Sequence, residues 1–184
     1  MKSLVIAAST VMLLSGCSSM MMADGMGMDG RTTAGSMAMA MPTTAAAYMQ
    51  MAHSSDMFEV QSSQLALQMS RNPAVRSFAQ MMINDHTRMM NEMMAMAPSM
   101  GMNISSMPMM PKHSAMLQRL RSTSASNFDM MYKREQMMAH QEALMMHRTY
   151  AARGDNAALR AMAARAVPMI QMHLSRAQAL PGMR

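Results

Sequence analysis

The sequence predicts an all-α fold, an antiparallel four-helix bundle with one short extra helix, on three observations. Apolar residues recur at helical spacing in four long stretches between Thr44 and Leu180. Pro, Gly and Asn punctuate the junctions between them, and no stretch alternates apolar with polar residues as a half-buried strand does. Long amphipathic segments joined by mostly short connections bury their apolar faces by lying side by side in alternating directions.

The first helix is expected from about Ala45 to Ser70, stopped by Asn72-Pro73. A second starts at Pro73, where proline suits the first turn, and ends near Met96, before Pro98. The stretch from Pro98 to Pro111 reads as a loop by its Pro and Gly content. Pro111 then opens the short helix, to about Arg121. A long helix from about Ser126 to Arg153 ends at Gly154. The last runs from Asn156 to about Leu180, with a kink or break expected at Pro168. The helical domain therefore covers residues 44–182.

Ahead of it lie two segments of different character. Met1-Lys2 forms a short positive start, and Leu4 to Leu14 an apolar run of about eleven residues, the length of a signal-peptide core and too short to span a bilayer. The run ends in Leu14-Ser15-Gly16-Cys17, which matches the bacterial lipobox. Residues 1–16 are thus expected to be a lipoprotein signal peptide, and Cys17, the single cysteine of the chain, the lipidated first residue of the mature protein. Several acyl chains on one residue give durable anchoring where a single chain does not. Ser18 after the cysteine resembles the pattern for sorting to the outer membrane, so the expected location is the outer membrane, facing the periplasm. Residues 17–43 carry the lipid and a low-complexity tether; as flexible chain, its 26 residues after Cys17 span roughly 30 Å.

Removal of residues 1–16 leaves fifteen basic and ten acidic residues, a net charge of +5. Export makes nucleic acid a poor partner for that charge, and the basic residues are scattered singly rather than gathered in a patch. Anionic membrane surface is the expected electrostatic partner. With no cysteine left for thiolate ligation, any metal chemistry must use Met, His and carboxylates.

Methionine is the abnormal residue, at 37 against 11 Leu. It is a soft core filler and can simply replace Leu in packing. Eight Met, however, lie between Met20 and Met41, among Gly, Ala, Ser and Thr, and five more lie in the Pro98–Pro111 loop. Segments without a core give packing no reason to want them, so the thioether itself is expected to matter.

Placing residues at about 100° per position shows what the helices bury. Val75, Phe78, Ala79, Met82, His86, Met89, Met90 and Met93 share one face of the second helix. Leu159, Met162, Ala166, Ile170 and His173 share a face of the last. Glu59 falls on the apolar side of the first helix with Tyr48, Met51 and Phe58. His140 lies on the flank of the face formed by Phe128, Tyr132, Ala139 and Tyr150. Each long helix thus contributes one ionisable group near the interior: Glu59, His86, His140 and His173, with His140 expected at the edge.

Phe58-Glu59, the run from Val75 through Arg76-Ser77-Phe78-Ala79-Gln80-Met81-Met82-Ile83-Asn84-Asp85 to His86, Lys112-His113, Phe128-Asp129-Met130-Met131-Tyr132, Ala139-His140-Gln141-Glu142 and His173-Leu174 together resemble an exported bacterial family, that of domain of unknown function 4142. The resemblance covers about Thr44 to Leu180. It implies a ferritin-like helical bundle and brings no settled activity with it. The methionine enrichment of tether and loop goes beyond the usual family pattern.

Two readings of the interior groups stay open. One Glu and three His from four helices can bind a divalent metal, as imidazole suits Zn, Cu or Fe; equally, Asp85, Asp129 or Tyr132 can satisfy the imidazoles in a hydrogen-bonded cluster. No Glu has a His three residues later, so the di-iron pattern is absent. Thioethers select Cu(I). His86, Met89, Met90 and Met93 form one stripe, which is a candidate His/Met site or an ordinary core stripe. Met49, His53 and Met57, spaced by four, are expected to be exposed opposite Glu59. The runs Met26-Gly-Met28 and Met37-Ala-Met39-Ala-Met41 resemble those of periplasmic copper-handling proteins. The expected function is binding or buffering of copper, chiefly through Met with His as auxiliary ligand. The alternatives are oxidant scavenging by methionine or a passive envelope lipoprotein. No nucleophile–base pair, phosphate loop or catalytic carboxylate motif supports an enzyme.

Overall fold

The computed structural model describes residues 41–181. Cys17, the signal peptide and the tether up to residue 40 lie outside the described residues, together with the expectations placed on them. Five helices make up the domain: α1 (Ala45–Met69), α2 (Pro73–Met96), α3 (Pro111–Ser122), α4 (Phe128–Arg153) and α5 (Ala157–Ala179). Short 3-10 turns at Ala97–Met100 and Ile104–Ser106 lie between α2 and α3. Among the described residues there is no strand, and no helix is long and apolar enough to cross a membrane.

The helix ends have local causes. Thr44 Oγ1 accepts the Ala47 N–H at 3.4 Å, Asn72 Oδ1 the Ala74 N–H at 2.9 Å, and Asn156 Oδ1 the Leu159 N–H at 3.0 Å. Each satisfies a donor that the first turn leaves free. Pro73 and Pro111 occupy first-turn positions, where their missing N–H is no loss. Gly101, at φ 68°, closes the first 3-10 turn in a left-handed conformation that favours glycine. Gly154 ends α4 for a different reason: a Cβ there would lie 2.5 Å from the Tyr150 ring. That ring is fixed, stacked on Tyr48 at a centroid distance of 4.0 Å and donating its hydroxyl to Asp155.

The break expected at Pro168 does not occur, and α5 runs through it. Ala166 and Ile170, on either side of the proline, are buried against Met89 and Ala143, and this packing outweighs one lost backbone bond.

α1 is the most enclosed helix. It packs against α2, α3 and α4 and the second 3-10 turn, whereas α4 and α5 pair chiefly with each other. This corrects the expected exposure of Met49, His53 and Met57. Met49 is fully buried, His53 is 5 % exposed and Met57 is half-buried. A helix with one covered face would have left them in water; α2 covers the second face. The loop methionines are corrected likewise. Met100, Met102, Met107 and Met110 pack, partly buried, against a core of Tyr48, Met49, Met93, Ile104 and Met146, and Met109 packs against a second core. The loop turns its methionines onto the interior while most of its other residues stay exposed, so core filling does account for them.

Candidate metal centre

The enclosure of α1 explains why so many polar groups are buried. Helices α1, α2, α4 and α5 each send an ionisable side chain into the middle of the domain. His86 (α2), His140 (α4) and His173 (α5) are at most 1 % exposed. Their ring centroids form a nearly equilateral triangle with sides of 5.6 Å (His86–His140), 5.3 Å (His86–His173) and 5.4 Å (His140–His173). His140, expected at the edge, is a full member, because α4 lies close enough to α1 to bring its flank inside.

Each imidazole is held on one nitrogen. His86 Nδ1–H donates to Asp56 Oδ1 at 2.8 Å, His140 Nδ1–H to the Gln136 carbonyl at 2.8 Å, and His173 Nε2–H to Asp85 Oδ2 at 3.0 Å. A carbonyl or carboxylate oxygen only accepts, so these contacts assign the proton to the bonded nitrogen. The second nitrogen of each ring, Nε2 of His86, Nε2 of His140 and Nδ1 of His173, is buried and without a partner in the protein. One ring nitrogen from each lies within 4.8 Å of one from each of the others, and among the described residues this is the group of side chains able to hold an ion. An ion bound at about 2.0–2.1 Å in a trigonal plane sets its nitrogens about 3.5 Å apart, so the rings need close by at most a little over an ångström.

Glu59 (α1) borders the triangle. Its Oε1 lies 3.4 Å from His140 Nδ1, and its Oε2 is buried without a partner. Burial drives its carboxyl up to about 7, against the pull of the His86 charge and Gln136. Burial pushes His173 down to about 4, helped by the His86 charge and opposed by Asp85. His140 falls well below the ordinary imidazole range, through burial and the charge of His86. For His86, burial lowers the value, but the bond and charge of Asp56 and the charges of Glu59 and Asp85 outweigh it and raise the net. Two of the three imidazoles are thus neutral near pH 7, the form that ligates metal.

A family model described as "Domain of unknown function (DUF4142)" matches residues 30–180. The chain belongs to this family. A solved structure titled "CopM in the Cu(II)-bound form" is similar in fold, with a TM-score of 0.63 and 19 % identity over 74 % of this chain and 94 % of that one. No curated protein matches.

In this DUF4142 member the expected residues divide by environment. Glu59, His86, His140 and His173 come together. Met89 is buried against Ala143, Ala166 and Ile170, while Met93 is buried in a different cluster with Tyr48 and Met146, and Met90 is half-buried. The stripe after His86 therefore fills two cores. Asp129 and Tyr132 do not serve the triangle: Tyr132 pairs with Ser63 at 2.7 Å, and Asp129 Oδ1 is unpartnered. Asp85 does serve it. Asp56 escaped the sequence reading, though it stands three residues before Glu59 and thus on a neighbouring part of the same face.

Proposed function

We propose that this protein is a lipid-anchored envelope protein that binds and buffers copper, Cu(I) foremost, in a three-histidine centre inside an antiparallel, ferritin-like four-helix bundle. The observation that carries the reading is the triangle of three buried imidazoles, each fixed by a bond on one nitrogen and each with its other nitrogen buried without a partner in the protein. Buried polar atoms ordinarily find partners. Three such nitrogens on adjoining rings, each ring backed by an outer acceptor, have the form of a ligand set awaiting an ion.

The centre contains imidazole and no thiolate, a donor set that suits copper as well as zinc. Copper is favoured by the unusual supply of thioether and by the copper-bound neighbour of similar fold. Bound there, the ion would take up the three lone pairs and cancel their desolvation. His86, His140 and His173 would be the ligands. Asp56, the Gln136 carbonyl and Asp85 orient them, and Glu59 supplies adjacent negative charge when ionised. The Met-x-Met runs Met26-Gly-Met28 and Met37-Ala-Met39-Ala-Met41 add further thioether donors. Oxidant scavenging has less support: of the methionines described, only Met138, Met145 and Met172 are exposed.

Anaerobic Cu(I) titration of lipid-free protein against a competing chelator tests the centre. One ion per chain is expected to survive deletion of residues 18–43. In His140→Leu its affinity should fall by more than the roughly 10–100-fold that loss of an outer-shell partner brings. Equal uptake by wild type and His140→Leu would sink the reading. Anchoring has its own test: Cys17→Ser is expected to move the protein from the membrane fraction to the soluble one, and unchanged fractionation and mass would remove the lipid from the proposal.

A further inference from the structure

The three histidines are sealed from water, so a ligand has to enter between helices. The seam between α2 and α5 is bridged by side chains at successive turns: Arg176 to Met81 Sδ (3.2 Å), His173 to Asp85 (3.0 Å), Arg88 to Met169 Sδ (3.4 Å), and Arg165 to Glu92. Residue numbers rise along one helix as they fall along the other, so the pair is antiparallel. The Asp85–His173 bridge is where the centre meets the surface. Asp85 has 24 % of its side chain exposed, against 4 % for Asp56, the other carboxylate that holds a ring of the triangle. A cavity of about 280 Å³ opens at the next bridge along the seam, lined by Arg88, Met89, Glu92, Met162 and Met169, among others.

Arg88 occupies this entrance in an informative way. One guanidinium nitrogen, Nη2, lies 3.2 Å from Asp85 Oδ1 and 3.4 Å from Met169 Sδ. A cation is thus already held between one carboxylate oxygen and one thioether sulfur, one residue away from His173. Arg88 itself is 70 % exposed, so the bond to Asp85 is weak and its side chain leaves at little cost.

We propose that Met169 Sδ and the Asp85 carboxylate form an outer docking site for a soft monovalent cation, with Arg88 as its exchangeable plug, through which the histidine centre is loaded. This rests on the metal reading of the centre. Arg88 swings into solvent, the arriving cation replaces its charge beside Asp85, and the thioether gives preference to Cu(I) or Ag(I) over Zn(II). Asp85 then releases the Nε2–H of His173, and the ring can turn its free Nδ1 toward the docked ion. No electron is transferred and no covalent bond of the protein breaks.

Stopped-flow loading of the metal-free, lipid-free protein with Cu(I), Ag(I) and Zn(II), paired with equilibrium titration, tests the route. Met169→Leu is expected to slow Cu(I) and Ag(I) loading by about tenfold, as loss of one contact in the entry barrier would. It should leave the Zn(II) rate, the stoichiometry and the equilibrium affinity unchanged. Arg88→Gln should accelerate loading, and Met145→Leu, outside the seam, should do nothing. Wild-type Cu(I) rates in Met169→Leu with normal final uptake overturn the route and leave the centre standing. A fall in equilibrium affinity in Met169→Leu makes Met169 an inner ligand and also overturns it. Absence of uptake by the wild type overturns the centre, and the route with it.

Discussion

Acidification from pH 7 to pH 4 is expected to unfold the metal-free domain, with the larger part of the loss between pH 6.5 and 4. His53, His113, His140, His147 and His173 are all held below the ordinary imidazole value, primarily by burial. His113, His147 and His173 stand at about 4. For a base whose folded value is depressed, the unfolded chain takes the proton first. Stability is full above about pH 6.5, falls as the pH drops toward the folded value, and then levels off. A displacement of this size corresponds to roughly 3 kcal/mol for each of the three, in a domain whose total stability is of order 5–15 kcal/mol. Asp56, Glu59 and His86 work in the opposite direction, because their folded values are raised and the native state keeps their protons on acidification. They soften the loss, but five lowered groups outnumber them. Urea unfolding followed by circular dichroism at half-unit steps of pH checks this, and stability that stays flat from pH 7 to 4.5 contradicts it. An ion on the triangle competes with protons for His86, His140 and His173, so loading should move the transition to lower pH.

Much of this domain was legible in the sequence where a local rule decides. Pro73, Pro111, Asn72 and Asn156 mark helix starts by chemistry that operates within one turn, and the observed ends fall within two residues of expectation. Helical phase suffices for Glu59, His86 and His173, because it places them on core faces. Phase failed where depth depends on how many neighbours a helix has. Met49, His53 and Asp56 lie to one side of the strongest apolar face of α1, and the packing of neighbouring elements on that side, α2 foremost, buries them. The buried serines Ser54, Ser55, Ser62 and Ser63 make α1 read as half polar although it is enclosed. Three of them have distant partners: Ser54 meets His113 at 2.7 Å, Ser62 accepts from Gln136 Nε2 at 3.0 Å, and Ser63 meets Tyr132. No pattern within α1 reports those bonds. The edge position expected for His140 fails for the same reason, since an angle on a helix wheel says nothing of the distance to the next helix.

His140→Leu is expected to stabilise the metal-free domain while removing its response to metal. The imidazole of His140 is buried with Nε2 unpartnered, and an unsatisfied buried polar atom costs roughly 1–3 kcal/mol. Its one hydrogen bond goes to the Gln136 carbonyl, which already accepts the backbone N–H of residue 140 within α4, so leucine strands no hydrogen-bonded group and takes from Glu59 Oε1 only a 3.4 Å contact. Leucine is also close in volume, and Phe78, whose ring centroid lies 6.4 Å from that of His140, offers it an apolar neighbour. His86→Leu should do the reverse. It strands the Asp56 carboxylate, buried and bonded to His86, and removing one partner of a buried pair costs about 3–5 kcal/mol. The wild type in turn gains about 2.7 kcal/mol from a ligand at a hundred times its dissociation constant, a gain closed to both variants. Thermal unfolding with and without Cu(I) should therefore rank His140→Leu above wild type without metal, narrow or reverse that order with metal, and place His86→Leu lowest in both. If His140→Leu destabilises the metal-free domain as much as His86→Leu does, the imidazoles are structural groups already satisfied where they stand. The triangle is then a hydrogen-bonded core rather than a site kept, at a cost in stability, for an ion.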